Sequence, residues 1–191
     1  MRKLIVSEFI SLDGVVEDPG GAEGFERGGW NSPYWNDELA AYKRDELFSA
    51  DGLLLGRATY EGFAASWPDA SHEAGEYADR MNGFPKYVVS STLTDLTWNH
   101  SHLLDGDLET QVRRLKKQPG QDLLVFGSGQ LVRRLIQLNL VDELRLQVHP
   151  VTVGRGQRLF GETDDITTFE SEGATMLGPV VLLRYGAASP A

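Results

Sequence analysis

"DLLVFGSGQLVRRLIQLNLVDELRL", residues 122–146, decides the fold. It opens on the apolar run Leu123–Phe126, turns at Gly127-Ser128-Gly129, presents Leu131, Leu135 and Leu138 to one helical face, and closes on a second run from Glu143. The order reads as strand, glycine-rich turn, helix and second strand. The turn itself has two readings: a cofactor cradle, or a tight connection between two buried elements.

The same alternation extends towards the amino terminus. "KLIVSEF" (3–9), "DGLLLG" (51–56) and "KYVVSS" (86–91) are short, apolar and ended by small residues, as strands buried on both faces are. Between them, 35–50 carries Leu39, Tyr42, Leu47 and Ala50 at near-helical spacing, 107–118 starts at an Asp cap, and 128–140 completes the opening helix. Strands that alternate with helices imply an α/β fold with a mostly parallel sheet. The last third differs: 143–154, 166–174 and 180–186 read as successive strands, which predicts an antiparallel carboxyl-terminal edge. "VVLLRY" at an uncovered edge would be an association hazard.

Composition limits what these elements can serve. The 191 residues are 41% hydrophobic and 24% charged, the usage of one globular domain, expected over 1–186 with a tail at 187–191. A formal net charge of −10 repels phosphate backbones and anionic bilayers, so neither nucleic acid nor membrane is the expected partner. The basic runs at 113–117 and 133–134 are short and fit solvated helix faces. No cysteine is present, which removes disulfides, thiolate metal sites and a cysteine nucleophile, and fits a cytoplasmic location. The amino-terminal apolar run is interrupted by Ser7 and Glu8 too early for a signal core.

Three strand ends carry residues of the kind that hold phosphates. They are Gly56-Arg57-Ala58-Thr59, Ser90-Ser91-Thr92 and Gly127-Ser128-Gly129, the last followed by Gln130 and Leu131. Glycine lets backbone amides approach an anion, a helix starting just beyond adds its positive end, and arginine supplies a planar fork of donors. In an open parallel sheet, all three ends face one edge. The dinucleotide fingerprint of the standard kind is incomplete, because Val132 stands where its third glycine belongs. The long glycine-rich segment 18–33 has the character of a covering loop, and 66–85 is also irregular in composition.

"SEFISLDGVV", "LLLGRATYEGF", "FPKYVVSSTL", "LLVFGSGQLVRRLI" and "LVDELRLQVHPVTVGRGQRLF" together resemble the dihydrofolate reductase-like superfamily. Within it the sequence is similar to the carboxyl-terminal reductase domain of the bifunctional riboflavin-biosynthesis deaminase-reductases. That resemblance implies a three-layer fold, with helices on both faces of the sheet and NADPH as hydride donor. It implies contacts from Gly56, Arg57 and Thr59 to the adenosine phosphates, from Ser90 and Ser91 to the 2′-phosphate, and from Gly127 through Leu131 (Ser128, Gly129 and Gln130 included) to the pyrophosphate. Arg57 would then select NADPH over NADH, and Gly154 and Gly156 would lie close to the pocket. The implied activity is reduction of 5-amino-6-(5-phosphoribosylamino)uracil or another small C=O or C=N compound. A zinc deaminase with its cysteine ligands does not fit in this sequence, so a separate reductase is expected. Two alternatives stay open: a pterin reductase of the dihydrofolate reductase type, and an NADPH-binding sensing module without turnover. The resemblance also implies a homodimer.

Two carboxylates compete for the proton. Glu38, beside Asp37, takes the place of the pterin-binding carboxylate when "WNSPYWNDELAAYKR" is aligned with the first helix of dihydrofolate reductases, although both also suit a helix amino terminus. Asp13 of Ser11-Leu12-Asp13-Gly14 matches the riboflavin-type segment that borders the nicotinamide, although Asp-Gly also simply turns a chain. Lys86, Arg155 and Arg158 are available for a substrate phosphate. His149 reads first as a packed histidine, and His72, His100 and His102 lack metal-site spacing. Trp30, Trp35, Trp67 and Trp98 suit either core or pocket walls.

Overall fold

The structure, a computed structural model, describes residues 1–70, 75–161 and 166–188; His72 lies outside them. Among the described residues, eight strands form one sheet: β1 (Leu4–Ser11), β2 (Ala50–Gly56), β3 (Lys86–Val89), β4 (Ser101–Leu104), β5 (Asp122–Phe126), β6 (Glu143–His149), β7 (Phe169–Leu177) and β8 (Val180–Ala187). Their order is β4-β3-β2-β5-β1-β6-β8-β7. All neighbours from β4 to β6 are parallel, and β8 runs antiparallel to both β6 and β7. The chain is therefore an α/β protein with a mostly parallel sheet and an antiparallel carboxyl-terminal edge.

Helices cover both faces because the inner strands are apolar on both. Leu4, Val6 and Ile10 of β1 pack with Val112 and Leu115 of α4 (Leu108–Lys116) and with Leu131, Val132 and Leu135 of α5 (Gly129–Gln137). Ile5 faces the other way, towards Leu47 of α1 (Asp37–Phe48), Tyr60 of α2 (Arg57–Ser66) and Met81 of α3 (Gly75–Gly83). Each such side chain contributes about 1.5–3 kcal/mol on burial. Asp107 caps α4 by accepting from the Thr110 amide at 2.9 Å.

Several elements depart from the sequence reading. The segment 66–85 contains α3, whose glycines at both ends disguise it. α2 and the four-residue edge strand β4 are further additions; β4 is largely solvent-facing and has little apolar signal. The run from 143 stops pairing at His149 rather than continuing to 154. β8 is not an edge: β7 lies outside it and pairs with it from Leu177↔Val180 to Phe169↔Ala187, so Ala187 belongs to the sheet rather than to the tail. On α1 the buried face consists of Leu39, Lys43, Glu46 and Leu47, so two charged residues occupy positions that an apolar periodicity does not mark.

One register detail positions the site. β5 pairs with β1 only as far as Ser7↔Phe126, whereas β6 accompanies β1 to Ser11↔His149. Beyond Ser7, β1 has lost its β5 neighbour. A cleft opens there, above the end of β5.

Candidate active site

All three phosphate-type strand ends reach this cleft, whose volume is about 1530 Å³. Gly56, Arg57 and Thr59 line it from β2 and α2, Ser90 and Ser91 from the end of β3, and Gly127 through Leu131 from β5 and α5. The turns are tied to each other. The Gly56 amide donates to Ser128 Oγ at 2.9 Å, and the Ser128 amide donates to Thr59 Oγ1 at 2.9 Å. Gly127 has φ +53°, and a Cβ there would stand 3.0 Å from Thr59 Oγ1, so both backbone conformation and space require glycine. Ser128 is itself left-handed at φ 63°, a conformation held by these bonds.

No side chain caps α2 or α5. Their leading amides, which have no partner inside a helix, face the cleft with the positive end of each dipole behind them. Arg57 adds a cation, anchored by Glu61 at 3.2 Å and by Thr92 Oγ1 at 2.8 Å, which joins the β2 and β3 ends. Ser90 Oγ accepts from the Thr92 and Leu93 amides and shapes the third turn. The cradle therefore offers backbone amides and one guanidinium, donors suited to a pyrophosphate and a phosphate monoester.

The loop 18–33 forms a wall of the cleft with Pro19, Gly20, Ala22, Glu23 and Asn31. It is organised around buried Asp18, whose carboxylate accepts from the amides of Glu23 and Phe25, and whose carbonyl accepts from Gly21 and Gly29. Trp35 and Trp67 line the cleft, whereas Trp30 and Trp98 belong to the core.

On the α1 side, the cleft floor is a buried polar network. Glu46 Oε2 accepts from Lys43 Nζ at 2.5 Å and from Ser7 Oγ at 2.8 Å, while its Oε1 accepts from Tyr42 and Arg145. Burial pushes the Glu46 carboxyl up, but Lys43 above all, with Arg145 and Ser7, holds it below the usual range. Lys43 sits over the Phe126 ring at 4.1 Å and lines the cleft. Because the Ser7 hydroxyl donates to Glu46, it must accept from Gln147, which fixes the Gln147 amide nitrogen towards Ser7 at 3.2 Å. Among the described residues, Gln147 Oε1 is then left without a partner, as is Oε1 of Glu8 on β1. Both residues are buried and both line the cleft.

The two carboxylates expected to handle the proton lie elsewhere. Asp13 Oδ1 accepts from Ser11 Oγ at 2.7 Å and from the Val153 amide at 2.9 Å, and Oδ2 accepts from the Gly154 amide at 2.7 Å. Desolvation opposes its ionisation, yet these bonds pull its pKa down to about 2. Glu38 is exposed and accepts from the Gly178 amide at 2.7 Å, pinning the β7–β8 hairpin. Neither residue is among those lining the cleft, nor is Asp37.

The cations named for a substrate phosphate are also elsewhere. Lys86 is fully buried, donates to the carbonyls of Asn82 and Asn99, and is lowered to about 8 by burial. Arg158 donates to the Asp13 carbonyl, and neither it nor Arg155 lines the cleft. Lys43, Arg44, Arg57 and Arg134 do. Gly154 and Gly156 stop short of the cleft, which their neighbour Gln157 reaches. His149 is buried in a box of Phe9, Trp30 and Tyr34, and burial holds its pKa down.

Sequence reading passed over Glu8, Lys43 and Gln147. The available signal was charge inside buried elements: Glu8 interrupts an apolar strand, and Lys43 follows Leu39 by one helical turn.

Among curated proteins, the chain is 29% identical over 162 residues to the uncharacterized protein YyaP of Bacillus subtilis, a match covering 83% of this chain and 80% of that protein. A putative riboflavin biosynthesis protein from Shewanella sp. PV-4 superposes with a TM-score of 0.70 at 21% identity, covering 98% of this chain and 99% of that one. The Thermotoga maritima diaminohydroxyphosphoribosylaminopyrimidine deaminase/5-amino-6-(5-phosphoribosylamino)uracil reductase gives 0.67 at 13% identity, over 98% of this chain and 57% of that one. Dihydrofolate reductase from Enterococcus faecalis, complexed with NADP(H), gives 0.57 at 16%, over 96% and 95%. These likenesses establish a dihydrofolate reductase-like fold. The RibD C-terminal domain family model matches residues 2–183, and the chain belongs to that family.

Proposed function

We propose that this protein is an NADPH-dependent reductase acting on a small anionic C=O or C=N substrate of the phosphoribosylaminouracil type. The observation that carries this reading is the convergence of three phosphate-type turns on a single cleft of about 1530 Å³. Sites for one small ligand occupy about 300–1,000 Å³, so this cleft has room for a dinucleotide and a second molecule beside it. The family's reductase members and the NADP(H) of the Enterococcus enzyme support the same assignment.

When bound, NADPH supplies a hydride. The chain's own residues do the rest. The leading amides of α5 and Arg57 hold the phosphates, Gly129 leaves the space in which a Cβ would press on Val16, and the wall built on Asp18 limits water. On α1, the residues facing the cleft are Ala40, Arg44 and Lys43, the last paired with Glu46, where a pterin reductase would need a carboxylate. That favours an anionic substrate over a pterin. NADPH oxidation, followed by its near-ultraviolet absorbance, tests the reading with 5-amino-6-(5-phosphoribosylamino)uracil and with dihydrofolate. Consumption with the first and not the second is expected. Binding of NADPH with consumption in neither would favour a sensing module.

A further inference from the structure

We propose that Glu8 is the acid of this reduction: its side chain, buried where β1 borders the cleft, gives its proton to the substrate heteroatom. This rests on the NADPH-dependent reading above.

Ser90, Gly56 and Gly127 stand at the ends of β3, β2 and β5, and Glu8 lies on β1, which is the order of these strands across the sheet. The span is three strand spacings, on the order of 14 Å. A dinucleotide held by its phosphates at the first three places brings its reactive end to the fourth. Glu8 is also the first residue of β1 beyond the last β5 pair, Ser7↔Phe126, where the strand borders the cleft.

Glu8 is 2% exposed, and its Oε1 has no partner among the described residues, a costly arrangement for a carboxylate and a tolerable one for an acid. Burial raises its pKa well above the usual range. The charge of Lys43 on α1 opposes that rise, and that of Glu23 in the 18–33 loop adds to it. Arg44 of α1, Asp18 of that loop, Glu17 just before it and Arg134 of α5 are the other charged groups on these elements that reach the cleft. Burial outweighs the pull of Lys43.

Two-electron reduction of C=O or C=N takes a hydride on carbon and a proton on the heteroatom. Glu8 breaks its O–H bond as the new O–H or N–H forms, and the carboxylate regains a proton from water at the cleft mouth. Asp13 and Glu38, each bound to backbone amides and outside the cleft lining, take no part.

Infrared spectra of the wild-type protein and Glu8→Gln at neutral pH test this without turnover. The wild type should show the C=O stretch of a protonated carboxyl that Glu8→Gln lacks, and that band should shift when NADPH and 5-amino-6-(5-phosphoribosylamino)uracil are added together. No such band, or a band indifferent to both additions, overturns the proposal. In single-turnover measurements with that probe, Glu8→Gln should be slower by about 10²–10³-fold with NADPH affinity within about threefold. The wild-type rate should fall as pH rises through the Glu8 pKa, and Glu8→Gln should lack that limb. A variant rate within about threefold of wild type overturns the role of Glu8, and so does failure of the wild type to consume the probe. Failure of the wild type to bind NADPH refutes the cofactor reading instead, and a titration detects it independently.

Discussion

The Gly56 amide and the Ser128 hydroxyl are joined at 2.9 Å, so the turns that end β2 and β5 are one cross-linked unit. Thr59 completes it by accepting from the Ser128 amide. The Gly56 amide and the Ser128 and Thr59 hydroxyls therefore act as the frame of the proposed cradle, while the leading amides of α5 face the ligand.

Ser128→Ala removes the acceptor for the Gly56 amide and leaves a part-buried donor unpaired. A loss of about 1–2 kcal/mol in urea unfolding is expected, together with roughly tenfold weaker NADPH binding as the two turns drift apart. Unchanged affinity would separate the frame from the cradle.

Glu46 neutralises Lys43 and Arg145 where solvent cannot. Glu46→Leu strands Lys43 and leaves Arg145 with Glu143 alone, and a cost of about 3–5 kcal/mol is expected by chemical denaturation. A loss below about 1 kcal/mol would show that the cations find other partners.

Asp13 has a folded pKa of about 2, below the ordinary aspartate value. A carboxylate depressed in this way contributes stability that is present above the unfolded pKa and lost as pH falls towards the folded one. Asp13→Asn should therefore be less stable than wild type at neutral pH, by about 1–2 kcal/mol after allowance for solvent, and the gap should close as pH falls from 4 to about 2. NADPH affinity and turnover should stay within about threefold, because the side chain holds the Val153 and Gly154 amides rather than the ligand.

Strand β7 forms the outer edge of the sheet and leaves Met176 58% exposed. Among the described residues no strand lies outside β7, an open strand edge is a template for association, and a homodimer is expected by light scattering at micromolar concentration. A monomeric mass would contradict it.

Much of the architecture is legible in the sequence because the inner strands are apolar on both faces and α4 and α5 each carry one apolar stripe. The cradle is legible for a related reason: a glycine or serine at the end of a buried strand is a local signature, and the parallel order gathers such ends on one edge. What escapes is long-range. Nothing near Asp13 in sequence shows that the amides of Val153 and Gly154 will claim its carboxylate. Nothing near Glu38 announces Gly178. Glu8 and Gln147 read as interruptions of apolar strands until the end of β5 at Phe126 shows that the cleft opens beside them.

The most direct test of the NADPH assignment is a calorimetric titration of the wild type and Arg57→Ala with NADPH and NADH. The wild type should bind NADPH at least about tenfold more tightly than NADH, as one charge-assisted contact to the 2′-phosphate allows, and Arg57→Ala should reduce that preference to about threefold or less. No binding of either nucleotide to the wild type, or equal loss of affinity for both in Arg57→Ala, would contradict the account.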